Sequence, residues 1–542
     1  QTAGQMANDL RRFVNRFAIS AKRAGPITRA AKWVRRRPGL AAALVVALLA
    51  AGAAGLLAHR SHVVAEEARM AEGQRALDQA LIEAFSGHHD RVEPYLERAE
   101  ILDVEPGRIR VLRGLAAVEQ GDIERAIHEL ELATQQLPDS LGAHALLGRA
   151  YLEAGEFRKN ADLYPRIRTL EPVMPEDYLY GGWALWPSDR DLAKGWLEQL
   201  ASEHPSPAVD FVLGLYLTIE LMSSYEPADI DQALAHTNAA RTQMPGNVRA
   251  IWFEAMAHLV AADIYRLQGD VAMHEFHLRR ATADAELLLN KHGDDGMSLL
   301  FNGFLAEYEG KGEEAVAHFR NANDRPGLWA RSRFTLPLSL CRLGRYEEAL
   351  AELDAMPDGL KAATSWCSDH TRIIAELEGA DFAEADYQRW LEKHGDRTAR
   401  DLHYWTYCLL GRRQDAVRIT REHFEGADPP LQQTSFQAAR DRYICGELAD
   451  VELLAAAVDR GDQVYAHGLI GQTRLAEGDR RAAMKHFAEV ERAGHYVCRW
   501  YKGVWAHLQL EHLREDPTWP PWIPVREDLN TQPKMATTET KP

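Results

Sequence analysis

GLAAVEQGDIERAIHELELATQQLPDSLGAHALLGRAYLEAGEFRKNADLYPRIRTLEP, residues 114–172, contains one pattern twice. Gly114, Gly121 and Pro138 return 34 residues later as Gly148, Gly155 and Pro172. Ala126, Leu130 and Ala133 recur at three- to four-residue intervals, which puts them on one face of a helix. A first helix therefore ends near Gly121, where glycine supplies a left-handed turn. A second ends before Pro138, which has no N–H to continue it. The small residue at Gly114 lets the second helix cross the first closely. One such hairpin keeps an apolar side exposed until a neighbour stacks on it, so the pattern implies an array.

The unit resembles the tetratricopeptide repeat (TPR), with small residues at its eighth and twentieth positions and proline near its end. The resemblance implies an all-α fold, a right-handed superhelix of TPR-like helix pairs. Less regular units follow at Gly182, Ala193, Leu197 and Pro205, and at Gly214, Tyr216, Ala233 and Pro245. Others begin at Gly303, Gly344, Tyr404 and Gly471. Residues 247–292 read as an enlarged pair broken near Gly269, whereas 360–395 and 432–460 are helical by pattern but match the repeat poorly. No strand pattern stands out.

Ahead of the array, Gly39 to Ala58 holds no charge, no proline and no strongly polar side chain. As a helix this run covers roughly 30 Å, the thickness of a bilayer's hydrocarbon core. A cleaved signal peptide has a shorter apolar core and a shorter basic leader. A core helix of a soluble domain is rarely so uniformly apolar. The net charge of −17 conceals a split, because residues 1–38 carry ten Lys/Arg against one acid, Asp9. Arg35, Arg36 and Arg37 are therefore expected on the cytoplasmic side and the acidic body outside it. The expected location is a single pass through the inner (cytoplasmic) membrane, with the N-terminus cytoplasmic and the repeats extracytoplasmic. Ala43, Ala47, Ala51 and Gly55 form a small-residue stripe compatible with a homodimer. The acidic body argues against nucleic acid as a partner.

Met6 to Val14, MANDLRRFV, with the basic stretch and apolar run behind it, resembles the end of a Hanks-type serine/threonine protein kinase domain in bacterial membrane-anchored members. The tail EDPTWPPWIP, Glu515 to Pro524, also resembles the close of such kinases. The resemblance implies a C-terminal fragment whose parent phosphorylates Ser/Thr with ATP and Mg. The chain itself shows no glycine-rich phosphate loop, strand lysine, His-Arg-Asp loop or Asp-Phe-Gly metal site, so no catalytic residue carries over and no cofactor is expected in it. A membrane-tethered TPR scaffold without kinase activity is the alternative.

The expected organisation is then 1–38 kinase end and basic juxtamembrane segment, 39–58 transmembrane helix, and 59–107 juxtamembrane helices with a degenerate first repeat. The TPR-like array occupies 108–495, a capping helix 496–513, and a Trp/Pro-rich tail 514–542 ends in disorder.

The remaining motifs read as structure. Gly310-Lys311-Gly312 follows a helix rather than a strand and coincides with a repeat turn, against a dinucleotide site. His274 and His277 lack the spacing for zinc on one helical face and read as solvent-facing. No two of Cys341, Cys367, Cys408, Cys445 and Cys498 lie at metal-ligand spacing, and buried unpaired thiols are expected. What remains is a surface for a protein or peptide ligand. In stacked pairs the first helices line the concave face, which places Arg149, Leu179, Tyr180, Trp183 and Trp186 in or beside the groove.

Overall fold

In the computed structural model the described residues are all but 1, 18–24, 86–87, 121, 155, 174, 186–189, 204, 206, 326–329, 362–363, 395–399, 426–434, 497–502 and 527–542. Among them every regular element is helical. The chain divides into two units, Gln1–Arg75 and Ala76–Pro542.

The first unit contains α1 (Ala3–Val14), α2 (Pro26–Arg36) and most of α3 (Pro38–Phe85). Thr2 caps α1 reciprocally with Gln5, satisfying two of the amides a helix start leaves open. Pro26 opens α2 and Pro38 opens α3, positions where a missing N–H costs nothing. The apolar stretch of α3 is bare: Leu44, Leu48, Leu49, Leu56 and Leu57 are all exposed. It is the one described helix long and apolar enough to cross a membrane, by length and composition.

The second unit begins inside α3, whose last turns bury Ala76, Leu77, Ala80, Leu81 and Ala84 in its core. After α4 (His89–Ile101) come helix pairs packed in order. They are α5/α6 (Pro106–Gln120, Ile123–Gln136), α7/α8 (Leu141–Glu153, Phe157–Thr169), α9/α10 (Pro175–Leu185, Arg190–Glu203) and α11/α12 (Pro207–Ser224, Ile230–Gln243). Next are α13/α14 (Val248–Gln268, Val271–His292), α15/α16 (Gly296–Tyr308, Gly312–Asn323) and α17/α18 (Thr335–Arg342, Tyr346–Asp354). After a short α19 (Asp358–Lys361) follow α20/α21 (Thr364–Glu378, Ala380–His394) and α22/α23 (Arg400–Leu409, Arg413–Glu425). The series ends with α24/α25 (Ser435–Ile444, Asp450–Ala456), α26/α27 (Arg460–Ala476, Arg480–Arg492) and a lone α28 (Gly503–Glu515). The fold is all-α, an array of TPR-like pairs.

The repeat positions behave as their chemistry requires. A Cβ added at Gly182 would stand 2.8 Å from Leu197 Cγ, so only glycine allows that crossing. Gly114 meets Leu130, Gly303 meets Phe319 and Gly471 meets Phe487 in the same way. At the turn between helices Gly310 and Gly478 take φ of 79° and 80°, the left-handed region. Gly121 and Gly155 lie outside the described residues. An aspartate often follows the turn: Asp122, Asp270 and Asp479 accept from the amides of Arg125, Met273 and Ala482 at 3.2, 3.1 and 2.9 Å, capping each second helix. Pro138, Pro172, Pro205 and Pro245 each follow the end of a second helix.

Here one expectation needs correction and two are filled in. Residues 360–395, helical as expected, form a pair of helices, α20/α21, despite the poor match. There His370 Nδ1 donates to Asp386 Oδ2 at 2.8 Å across the pair, and its ring stacks on Trp366 of the same helix. His277 does not face solvent; it is buried beside His258. Of the expected capping helix the described part runs Gly503–Glu515, residues 497–502 lying outside the described residues, and it does more than cap an end. Cys341, Cys367, Cys408 and Cys445 are buried free thiols, and Cys498 lies outside the described residues. The tail beyond Arg526 lies outside them as well.

Candidate partner-binding groove

The first helix of a pair is the more deeply buried, as α13 is against α14 and α15 against α16. In α7 every residue from Leu141 to Ala150 is buried except Arg149, which is half-buried. Leu179 and Tyr180, expected to open onto a groove, are core residues at 5% and 4% exposure. The reason is close stacking: Gly142 on α7 leaves room for the Tyr180 side chain, 3.2 Å from where its own Cβ would stand. Asp177, on the same helix, accepts from Ser140 Oγ at 2.7 Å and from the Gly142 amide at 2.9 Å, tying α9 to the start of α7. Asp78 of α3 and Arg108 of α5 both act on the Tyr180 hydroxyl, whose ionisation burial suppresses. The side chain of Trp183 and the whole of Trp186 lie outside the described residues.

Further along, α28 packs against several of these first helices, far back in the chain. Trp505 of α28 donates its indole N–H to Asp369 on α20 at 2.8 Å. The Arg372 guanidinium lies between the Trp405 and Trp505 rings, 5.6 and 5.5 Å from their centres. Complete burial brings its pKa down to about 10. Gln509 donates to Gln472 of α26 at 2.7 Å, and His512 meets the Tyr346 hydroxyl at 3.0 Å. Glu376 sits 3.8 Å from His512, and burial raises its pKa to about 7. α28 therefore touches first helices from several pairs at once.

Most of the hydrogen bonds that fasten the tail behind α28 come from one residue. Arg480, 3% exposed, donates to the carbonyls of Thr518, Trp519, Pro520, Ile523 and Pro524 at 3.1, 3.1, 3.3, 2.5 and 3.1 Å. Its planar fork is the only side chain able to serve so many acceptors. Trp519 stacks on His512, Trp522 donates to the Leu409 carbonyl at 2.9 Å, and Ile523 packs on Gly411.

A second tie closes the array on itself. Asp263 of α13, fully buried, accepts from the Tyr225 hydroxyl at 2.7 Å and from the His495 amide at 2.6 Å. Tyr225 in turn accepts from the Tyr496 amide at 2.8 Å. Arg249 of α13 reaches Glu119 of α5 at 3.4 Å, 130 residues away. Two cavities of about 360 and 420 Å³ adjoin this junction and share Arg266 and His495. Polar groups of the wall pair with one another, Arg342 with Glu307 at 3.1 Å and the His507 ring with Glu511 at 3.3 Å.

Two imidazole pairs recur at equal spacing, the buried His258 with His277 and the half-buried His467 with His486, at Nδ1–Nδ1 distances of 2.8 and 2.9 Å. Burial, then the neighbouring imidazole or arginine, holds His258 down to about 3 and His486 down to about 4. Among the described residues no three metal-ligating side chains gather into one site.

The tetratricopeptide-repeat family profile matches residues 117–159, within the stretch that defines the repeat. Solved structures with a similar course include the human IFIT1 dimer with PPP-AAAA, at 14% identity over 77% of this chain and 94% of that one, TM-score 0.36. A monomeric IFIT1 mutant with Gppp-AAAA shares 15% identity over 78% and 99%, TM-score 0.36. Yeast Tom70 shares 13% over 82% and 97%, TM-score 0.33. No curated protein sequence matches. The chain carries TPR-type helix pairs, a class of scaffold suited to protein–protein interaction.

Proposed function

We propose that this chain is a membrane-anchored TPR region that binds a protein or peptide outside the cytoplasm, and that it serves as the sensor part of a serine/threonine protein kinase. The observation that carries the reading is α3. Its apolar stretch is exposed, and the same uninterrupted helix ends with Ala76 to Ala84 in the core of the array. No loop separates the proposed span from the repeats. A ligand that favours one arrangement of the array would thereby bias the segment at the other end of the helix, provided it binds that arrangement more tightly.

Support for the kinase comes from the Met6–Val14 resemblance and the basic–apolar–acidic order of the chain. The burial of the first helices shifts the expected ligand surface from them to the exposed second helices and the loops. The acidic surface favours a basic or neutral partner over nucleic acid.

Protease added to right-side-out vesicles tests the topology. Digestion of the array with residues 1–60 protected is expected; protection of the array until the membrane is opened refutes it. The gene read upstream of Gln1 tests the kinase: the Gly-rich, His-Arg-Asp and Asp-Phe-Gly motifs are expected there, and a reading frame lacking them leaves a tethered scaffold.

A further inference from the structure

α2 is short, basic and two-sided. At 100° per residue Ile27, Ala30, Ala31 and Val34 fall on one arc, Arg29, Lys32, Arg35 and Arg36 on the opposite one, and Trp33 at the border. The apolar arc is uncovered: Ile27 is 85% exposed, Val34 46% and Trp33 43%. The end of α1 meets α2 through the basic arc. Arg36 donates to the Asn15 carbonyl at 2.6 Å and lies 3.3 Å over the Phe17 ring, while Lys32 donates to the Phe17 carbonyl at 3.4 Å. That contact leaves the apolar arc clear. A single non-helical residue, Arg37 with φ −135° and ψ 65°, separates α2 from Pro38 and the apolar helix.

We propose that α2 is an interfacial helix, lying along the leaflet at which α3 begins, with Ile27, Val34 and Trp33 in the acyl boundary and its arginines and lysine among anionic lipid headgroups. The inference rests on α3 spanning the membrane. A helix with a strongly basic face, an opposite apolar face and a tryptophan at the border suits the headgroup–acyl boundary. Covalent attachment one residue from the span holds α2 at that depth, so little apolar area is needed to keep it there. Complementarity selects the lipid: among residues 1–38 only Asp9 is acidic, and Asp9 is on α1. Each basic residue near an anionic leaflet strengthens its binding roughly fivefold.

The full chain in nanodiscs tests this with a photo-crosslinking benzoylphenylalanine placed in turn at Val34, Thr28 and Leu48. Leu48 reports the span alone. With anionic phosphatidylglycerol present, label at Val34 should go to lipid several-fold more than label at Thr28. Replacing Arg29, Lys32 and Arg35 by Gln, or using phosphatidylcholine alone, should lower Val34 labelling of lipid by at least fivefold. Lipid labelling at Leu48 with none at Val34 overturns the interfacial helix and leaves the span standing. Crosslinks from Val34 to protein, a second copy or another domain, overturn it too. Absence of lipid labelling at both positions overturns the helix and the span together.

Discussion

Arg480→Ala should release the C-terminal tail without unfolding the array. The buried side chain donates to the carbonyls of Thr518, Trp519, Pro520, Ile523 and Pro524, of which Pro520 also accepts from the Ile523 amide. An unsatisfied buried acceptor costs about 1–3 kcal/mol. The five cannot all be left bare, because the tail can lift and let water reach them. Lifting, however, exposes Trp519 and Ile523, 8% and 3% exposed when docked. Uncovering two such side chains costs about 3 kcal/mol or more, so either route weakens docking by about 3–5 kcal/mol. Hydrogen exchange reads this directly, since the amides of Trp519, Ile523 and Arg526 bond to carbonyls of Asp516, Pro520 and Gly478. Exchange over 516–526 should quicken on the order of a hundredfold or more, with protection in α13 and α15 unchanged. Arg480→Lys should behave almost as badly, because an ammonium lacks the five-donor fork. Unchanged exchange in the alanine variant would refute the idea that Arg480 holds the tail.

Acid should weaken the array between pH 6.5 and about 4. Unfolded histidines take up protons there while His258 and His486, held at about 3 and 4, do not, so stability falls as pH falls. Thermal unfolding should show that slope, flattened in a His258→Gln, His486→Gln variant. Glu376 acts with the opposite sign. Its folded pKa near 7 means the native state holds a proton the unfolded one releases, and stability is lost as pH rises from 4.5 through 7. Glu376→Gln should therefore stabilise the chain at pH 8 by roughly 2 kcal/mol, read by urea unfolding. Gly182→Ala places a methyl 2.8 Å from Leu197 Cγ and should cost about 1–3 kcal/mol by the same assay.

The repeat was legible because its signals are backbone requirements. A glycine that must admit Leu197 or Phe319, a glycine at φ near 80°, and a proline past a helix end each leave a fixed letter in the sequence. The pair α20/α21 reads as helical but not as a repeat because α20 holds no glycine for α21 to cross; His370 meets Asp386 there instead. The His258–His277 contact, like His467–His486, joins histidines nineteen residues apart on the two helices of one hairpin, a pairing that the periodicity of a single helix does not show. The groove was misjudged for a different reason. Periodicity shows that α28 has an apolar side, but not that Trp505, Gln509 and His512 find Asp369, Gln472 and Tyr346 far back in the chain. Leu179 and Tyr180 stand on a first helix, where stacked pairs line a concave face, but the small Gly142 lets α9 close against α7 and cover them.

Alkaline carbonate extraction of membranes carrying the full chain bears most directly on the anchor. The account predicts that the chain stays with the membrane pellet. A Leu44→Asp, Leu48→Asp variant, which costs about 2.5–3.5 kcal/mol per carboxylate at mid-membrane, should move to the supernatant. Recovery of the unsubstituted chain in the supernatant as a single monodisperse species would contradict it.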